Sequence, residues 1–171
     1  PRLAEELFVQ RSIIISRDKN VRIHLSSISS EGSVEMIRMA KKKKIKITAD
    51  TSVNHLFFTD MDIQGYDTNF KLLPPLREEK DREALVKGVL DGTLDAINSS
   101  HEAHQQHKKN IEFDLAPEGV ISLETALSVV DMTLAKKLPK QQRYLKIAQC
   151  MAENPERIIS NANMHFEENE R

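Results

Sequence analysis

The sequence is poor in the residues that mark disulfide-rich or highly aromatic proteins. Its 171 residues include one cysteine, Cys150, no tryptophan and five glycines. A single cysteine excludes an intrachain disulfide and is typical of a reducing compartment, so we expect a cytoplasmic protein. Cys150 lies close to Ile147, Ala148 and Met151, which predicts a packed thiol and not a nucleophile.

Long apolar runs and an excess of charge are also missing. The longest apolar stretch near the start is Ile13-Ile14-Ile15, far short of the roughly 20 residues that a membrane span needs. No basic and apolar leader pattern opens the chain, so we expect no secretory signal. The net charge of −1 gives no global field, and we expect neither nucleic acid nor membrane as a partner. The basic run 41–44 has no interleaved aromatics and is interpreted as a solvated helix end, not a phosphate or nucleic-acid site.

Hydrophobic residues make up 39% of the chain and charged residues 30%, as in an ordinary globular domain. Apolar periodicity predicts helices at 2–17, 33–40, 79–90, 122–134 and 140–153, the second with Ser33 as N-cap. Buried-strand patterns occur at 21–28, 45–49, 67–73 and 94–98. Strands that alternate with helices predict a parallel α/β layer.

Four motif segments give this layer a family resemblance. They are RIHLSSISSEGS (22–33), ITADTSVNHL (47–56), GYDTNFKLLPPLR (65–77) and DAINSSHEAH (95–104). In order and spacing they resemble the second half of bacterial dihydroorotases, zinc-dependent cyclic amidohydrolases. The resemblance runs from about Arg22 to about Ile159. It implies an α/β fold that is the C-terminal half of a (β/α)8 TIM barrel of the amidohydrolase type.

We assign residues 1–160 to this partial barrel and residues 161–171 to a polar, frayed tail. A complete barrel takes about 250 residues and eight strands, so four strands cannot close one. The chain starts at Pro1, inside the helix ahead of the first strand. We therefore expect a truncated chain, or one that pairs with another half through its open strand edges.

The resemblance also shows what the chain has lost. Dihydroorotases hold two zinc ions at the C-terminal strand ends, where metal-bound hydroxide attacks the ring amide. Their patterns RLHxxHVST, TAEVTPHHL and ATDHAPH align with 22–30, 48–56 and 98–104, which places Ser27, Asn54 and Ser100 at ligand positions. Hydroxyl and carboxamide groups are poor zinc ligands, and a serine cannot replace the proton-shuttling aspartate at position 100. We therefore expect no zinc, no other cofactor and no catalytic residue.

The substrate contacts of the family are only partly retained. Leu73 stands where the family has a substrate-binding asparagine, and an apolar side chain cannot pair with a pyrimidine ring. His104 matches a histidine that contacts the substrate carboxylate. The run 116–119, APEG, resembles the family's APFG loop, whose backbone touches substrate. The resemblance thus implies His104, Pro117 and Gly119 as remaining substrate-binding residues.

Other histidines and serines allow alternatives. His101, His104 and His107 are spaced by three and would share one helix face, as in a new metal site, although a solvated loop is the simpler interpretation. His24 and His55 are interpreted as hydrogen-bonded core histidines. A nucleophile at Ser27, Ser99 or Ser100 with His101 as its base is a further alternative, although no GxSxG elbow is present.

These observations lead to one main functional hypothesis. It is a dihydroorotase homologue without a catalytic centre that scaffolds a partner. Inactive members of the family scaffold aspartate carbamoyltransferase, so the resemblance implies that enzyme, or further copies of the chain, as partners. The alternative is an active zinc-dependent dihydroorotase or related cyclic amidohydrolase that takes its remaining ligands from a missing N-terminal half. A non-catalytic sensor of small molecules that uses the remnant pocket is a third hypothesis.

Overall fold

The computed structural model describes the backbone of residues 1–167 and the side chains of residues 1–160. The strands are β1 (Ile23–Leu25), β2 (Ile47–Ser52) and β3 (Ala96–Asn98). The α-helices are α1 (Arg2–Lys19), α2 (Glu31–Lys42), α3 (Val53–Phe57), α4 (Glu79–Asp91), α5 (Gln106–Lys109), α6 (Ala126–Ala135), α7 (Lys140–Ala148) and α8 (Asn154–Glu167). Short 3-10 turns lie at Asp60–Asp62 and Thr68–Phe70, and a π-helical segment, Gln149–Glu153, joins α7 to α8.

The three strands form a parallel sheet in the order β1-β2-β3. Ile23 pairs with Ile47, and Asp50 pairs with Ala96, so β2 is the central strand. In the first two strands, alternate residues face the helices, and the residues between them face the other side of the sheet. Leu25 belongs to the first set and is buried, whereas His24 belongs to the second and is exposed.

The core lies between this sheet and the helices. It contains Val9 of α1, Ile37 of α2, Ala49 of β2, Val89 of α4 and Leu134 of α6, all of them fully buried. Burial of such side chains contributes about 1.5–3 kcal/mol each for the larger ones. This cluster fixes the strands beneath the helices and thereby sets where each strand ends.

Two carboxylates, one buried and one partly buried, connect the starts of the helices to neighbouring segments. Asp81 at the start of α4 is completely buried; it accepts hydrogen bonds from the backbone N–H of Glu31 at 2.9 Å and from the side chain of Arg2 at 2.7–2.9 Å. Glu5 of α1 accepts from the backbone N–H groups of Ser29 and Ser30 at 3.1 and 3.0 Å. Since the charge of Asp81 meets the start of α2, it also complements the positive end of that helix.

The predicted strand at 67–73 is wrong. A single 3-10 turn, Thr68–Phe70, forms there because the Asp67 carboxylate accepts from the backbone N–H of Asn69 at 2.9 Å. Pro74 and Pro75 follow, and neither has an N–H to donate to a sheet. The sheet in the described residues therefore has three strands, and β3 pairs directly with β2.

Some boundaries also differ from the prediction. The first strand stops at Leu25 because Ser27 adopts a positive φ of 59°, and the α2 cap is Ser30, whose hydroxyl accepts from the backbone N–H of Ser33. The helix α8 continues to Glu167, past the predicted boundary at residue 160, while residues 168–171 of the predicted tail lie outside the described residues. Within the described part of the chain, none of the helices combines the length and apolar character that crossing a bilayer requires.

Candidate functional site at the strand ends

A buried carboxylate organises the C-terminal ends of all three strands. Asp50, 8% exposed, accepts hydrogen bonds from His24 Nε2 at 2.9 Å, from Ser26 Oγ at 3.1 Å, from Ser27 N at 2.6 Å and from Asn98 Nδ2 at 2.6 Å. The donors come from β1, the turn after it and β3. We call these five residues the Asp50 network.

The donors determine the charge state of this carboxylate. Burial by itself would raise the pKa of Asp50, but hydrogen bonds from His24, Ser27 and Asn98 outweigh it and lower the pKa below the usual value. The site therefore holds a stable negative charge at neutral pH. Thr48 Oγ1 lies 2.9 Å from His24 Nδ1 and fixes the ring orientation.

The three predicted ligand positions lie on different parts of this edge. Ser27 belongs to the Asp50 network, and its hydroxyl accepts from Asn98 Nδ2 at 3.3 Å. Ser100 follows β3 in a left-handed conformation, with φ of 50°. Asn54 is 5% exposed in α3, and its side-chain nitrogen has no hydrogen-bond partner among the described residues. Of these three residues, Ser27 is the one that forms hydrogen bonds directly with Asp50 and Asn98.

The described residues do not by themselves supply the ligand set of a zinc centre. Among residues 1–160, no group of three or more histidine, cysteine, aspartate or glutamate side chains has the geometry to hold a metal ion. The Asp50 carboxylate oxygens are already engaged by His24, Ser26, Ser27 and Asn98. Ser27, Asn54 and Ser100 add only hydroxyl and carboxamide groups, which are poor partners for zinc.

The predicted substrate residues come together in a loop beside this edge. His104 Nε2 donates to the Glu118 carbonyl at 2.7 Å, and a Cβ on Gly119 would lie 2.9 Å from the same nitrogen. Lys109 Nζ donates to the carbonyls of Pro117 and Gly119 at 3.0 and 2.8 Å. His104, Pro117 and Gly119 are therefore neighbours, and the roles that the resemblance implies for them stay predictions.

A second lysine holds the same loop. Lys71 Nζ donates to the carbonyls of Asp114 and Ala116 at 2.9 and 2.6 Å, and the Lys71 carbonyl accepts from Gly119 N at 2.9 Å. Burial, followed by the charge of Lys71, lowers the pKa of Lys109. The two ammonium groups neutralise four carbonyl dipoles and fix residues 114–119 next to His104.

The other histidines do not form a shared site. His101 Nδ1 accepts from the backbone N–H groups of Ser122 and Leu123, each at 3.2 Å, and His107 lies in α5. A ligand face shared by His101, His104 and His107 is therefore not formed. Because backbone groups occupy Nδ1, and no described hydrogen bond joins the His101 ring to a serine hydroxyl, the serine–histidine alternative has no geometric support.

The two remaining histidines and the cysteine differ in burial. His55 is buried and bonds Ser52 Oγ at 2.7 Å and the Pro74 carbonyl at 3.0 Å, which confirms a core histidine. His24 is hydrogen-bonded, but its ring is 30% exposed, so its predicted core position is wrong. Cys150 is buried, which confirms a packed thiol, and burial raises the pKa of that thiol.

Sequence reasoning missed the central residues of the site. The family motifs include Asp50 and Asn98 but assign them no role. No pattern in the sequence distinguishes Lys71 and Lys109 from other lysines. One signal was present: His24, Thr48 and Asp50 occupy alternating strand positions that face away from the helices, just before the strands end. The lysine contacts with loop carbonyls have no comparable pattern in the sequence.

The parallel strands, the outer helices and the polar strand ends define a segment of an amidohydrolase-type α/β barrel. L-hydantoinase (dihydropyrimidinase) from Arthrobacter aurescens superposes with a TM-score of 0.84 at 21% identity, over 94% of this chain and 36% of that one. A dihydroorotase from Saccharomyces cerevisiae gives 0.76 at 23% identity, over 91% of this chain and 43% of that one. These likenesses establish the fold.

Sequence comparison then identifies the family. Dihydroorotase from Caldanaerobacter subterraneus subsp. tengcongensis is 40% identical over 163 residues, which is 95% of this chain and 37% of the relative. Dihydroorotase from Bacillus subtilis is 39% identical over 156 residues, 89% of this chain and 36% of the relative. The chain is dihydroorotase-like and corresponds to the C-terminal part of these relatives, little more than a third of their length. No family model matches the chain.

Proposed function

We propose that this protein is a dihydroorotase homologue of pyrimidine biosynthesis whose strand ends are built without a metal centre. The Asp50 network is the observation that carries this proposal. At the C-terminal ends of the strands, where barrel enzymes place their reactive groups, it surrounds the Asp50 carboxylate with hydrogen bonds from His24, Ser27 and Asn98. Groups that bond one another in this way stabilise the strand ends and are not available to a zinc ion.

The loss of a general base supports the same conclusion. Ring-amide hydrolysis needs an activated water and a group that moves its proton to the leaving nitrogen. Ser100 cannot take that proton near neutral pH, since a hydroxyl is far too weak a base. Asp50 has a lowered pKa and is saturated by donors, so it is also a poor base.

The remaining role is structural. A barrel segment that keeps its fold without its chemistry still presents the surface of the family to other proteins. The partner proposed here is aspartate carbamoyltransferase, with further copies of the chain as the second candidate. Size-exclusion chromatography with light scattering of the chain mixed with that transferase should show a complex larger than either component. Independent elution of both proteins would remove the scaffold role.

Metal content tests the loss of the zinc centre. The protein is purified without chelators and analysed by mass spectrometry of its metals. We expect well under one zinc per chain and no turnover of dihydroorotate or carbamoyl aspartate. One or two zinc ions per chain together with turnover would establish the alternative, an active zinc-dependent enzyme that draws ligands from elsewhere.

A reverse substitution tests the positions themselves. The triple variant Ser27→His, Asn54→His and Ser100→Asp should gain zinc affinity in calorimetric titration, because imidazole and carboxylate are the ligands that zinc prefers. The matched control replaces the same three residues with alanine and should gain none. Equal zinc binding by both triple variants would show that these positions are not the lost ligand positions.

A further inference from the structure

One cavity in the described residues lies toward the amino ends of β1 and β2 and shares His24 with the Asp50 network. Its volume is about 850 Å3, within the range of small-molecule sites, and its walls come from the amino ends of β1 and β2, the end of α1 and the start of α8. The proposed function assigns no ligand to this cavity.

The charged groups around the cavity are mostly cationic. Arg22, Lys46 and Arg157 line it and are exposed to solvent. Among the described ion pairs, none involves these three side chains. Lys46 Nζ donates to the Asn20 carbonyl at 3.3 Å, which holds its ammonium group at the rim. Three positive charges that face one cavity favour an anion there.

The single carboxylate of the cavity does not cancel this charge. Asp95 Oδ2 lies 2.6 Å from Lys41 Nζ and accepts from Ala49 N at 2.8 Å. Its negative charge is therefore neutralised by Lys41. His24 also lines the cavity, but its ring nitrogens are already bonded to Thr48 and Asp50.

Part of the cavity lining is apolar. Val21 before β1, Ile23 of β1, Ile47 of β2 and Ile158 of α8 contribute aliphatic side chains to it. Val21 is 43% exposed although it is a large aliphatic side chain. A lining that combines aliphatic and cationic groups matches a ligand that carries a ring at one end and a phosphate at the other.

We propose that this cavity is a binding site for a small phosphomonoester of an aromatic or other apolar group. Arginine offers planar, paired donors that match phosphate oxygens, so Arg22 and Arg157 bind the phosphate and Lys46 adds a third charge. The ring packs against the aliphatic side chains of the lining. The cavity shares His24 with the Asp50 network, but the cationic groups assigned to the phosphate lie outside that network.

Calorimetric titration of the full chain with 1-naphthyl phosphate tests the site, with 1-naphthol and inorganic phosphate as the two partial ligands. The complete ligand should bind at least about tenfold more tightly than either part, since each part satisfies only half of the site. Its affinity should fall as salt is raised. Equal affinity for naphthol, or for inorganic phosphate, would overturn the proposed ligand class.

Single substitutions locate the site. Arg22→Gln and Arg157→Gln should each weaken the binding of 1-naphthyl phosphate about tenfold, the effect of one lost charge-assisted contact. The matched control is Lys87→Gln, which removes one exposed positive charge from α4, away from the cavity. If the two arginine variants bind as tightly as Lys87→Gln, the ligand lies elsewhere and the proposal fails.

Discussion

At the scale of the residue, Asp50 has the largest influence on the site. It accepts hydrogen bonds from four residues in two distant segments, 24–27 and Asn98, and it stays charged because those donors outweigh its burial. The same contacts make His24, Ser27 and Asn98 structural partners. A residue type that suits catalysis is thus used here to join strand ends.

Asp50→Asn should lower the free energy of unfolding by about 2 kcal/mol, because several donors lose a charged acceptor in a buried position. Urea unfolding followed by circular dichroism measures the change. Asp18→Asn is the matched control; that carboxylate is 63% exposed and pairs with the neighbouring Lys19, so its change should stay within about 0.5 kcal/mol. Equal effects of the two substitutions would mean that the Asp50 network contributes nothing to the free energy of unfolding.

At the scale of the element, the loop 114–119 shows how backbone geometry places the remnant pocket. Gly119 has φ of 129°, a conformation that side chains rarely adopt, and an added Cβ would meet the Glu102 carbonyl oxygen at 2.8 Å. Lys71 and Lys109 bond the carbonyls on either side of this turn. The loop is therefore fixed both by a glycine and by two partly buried ammonium groups.

Gly119→Ala should destabilise the protein by about 2 kcal/mol, because the strained backbone and the contact with a carbonyl act together. The control Gly65→Ala also has positive φ, 60°, but no atom lies within 4 Å of the added Cβ. It should cost only about 1 kcal/mol. Unfolding free energies and hydrogen exchange at residue 119 measure the difference. Identical losses of stability in the two variants would show that the backbone moves away from the added Cβ without losing free energy.

At the scale of the whole molecule, the Glu5 carboxylate of α1 makes stability depend on pH. Burial raises the pKa of Glu5, but hydrogen bonds from Ser29, Ser33 and Ser30 outweigh it and lower the pKa below its usual value. A lowered folded-state pKa means that the unfolded chain binds the proton first. The contribution of Glu5 is therefore present above the unfolded pKa and is lost as pH falls through the folded pKa.

Glu5→Gln should unfold more easily at neutral pH, yet lose less stability between about pH 6 and about pH 3, because its side chain no longer titrates. Denaturant unfolding at several pH values measures how the free energy of unfolding of each protein changes with pH. Glu6→Gln changes the neighbouring carboxylate and serves as control. If the free energy of unfolding of Glu5→Gln changes with pH as steeply as that of the unchanged protein, protonation of Glu5 does not affect folding.

The sequence predicted the α/β class, most helices and the dihydroorotase-like segments, because apolar periodicity and local motifs are written in neighbouring residues. The helix 79–90 and the strand 94–98 lie within one or two residues of α4 and β3. The strand at 67–73 failed because a local Asx turn and two prolines override its apolar pattern. His104, Pro117 and Gly119 were grouped by resemblance alone, and their contact in the structure depends on two lysines.

The sequence alone determined which side chains occupy the family's ligand positions, because the residue type at a position can be read without knowing the fold. Serine and asparagine at positions 27, 54 and 100 are therefore facts of the chain. Only the tertiary structure decided what surrounds Asp50, because its donors come from residues 24 to 98 and meet through strand pairing. It also decided where the cationic cavity lies, since Arg22, Lys46 and Arg157 are separated in the chain and share a wall only when β1, β2 and α8 pack together.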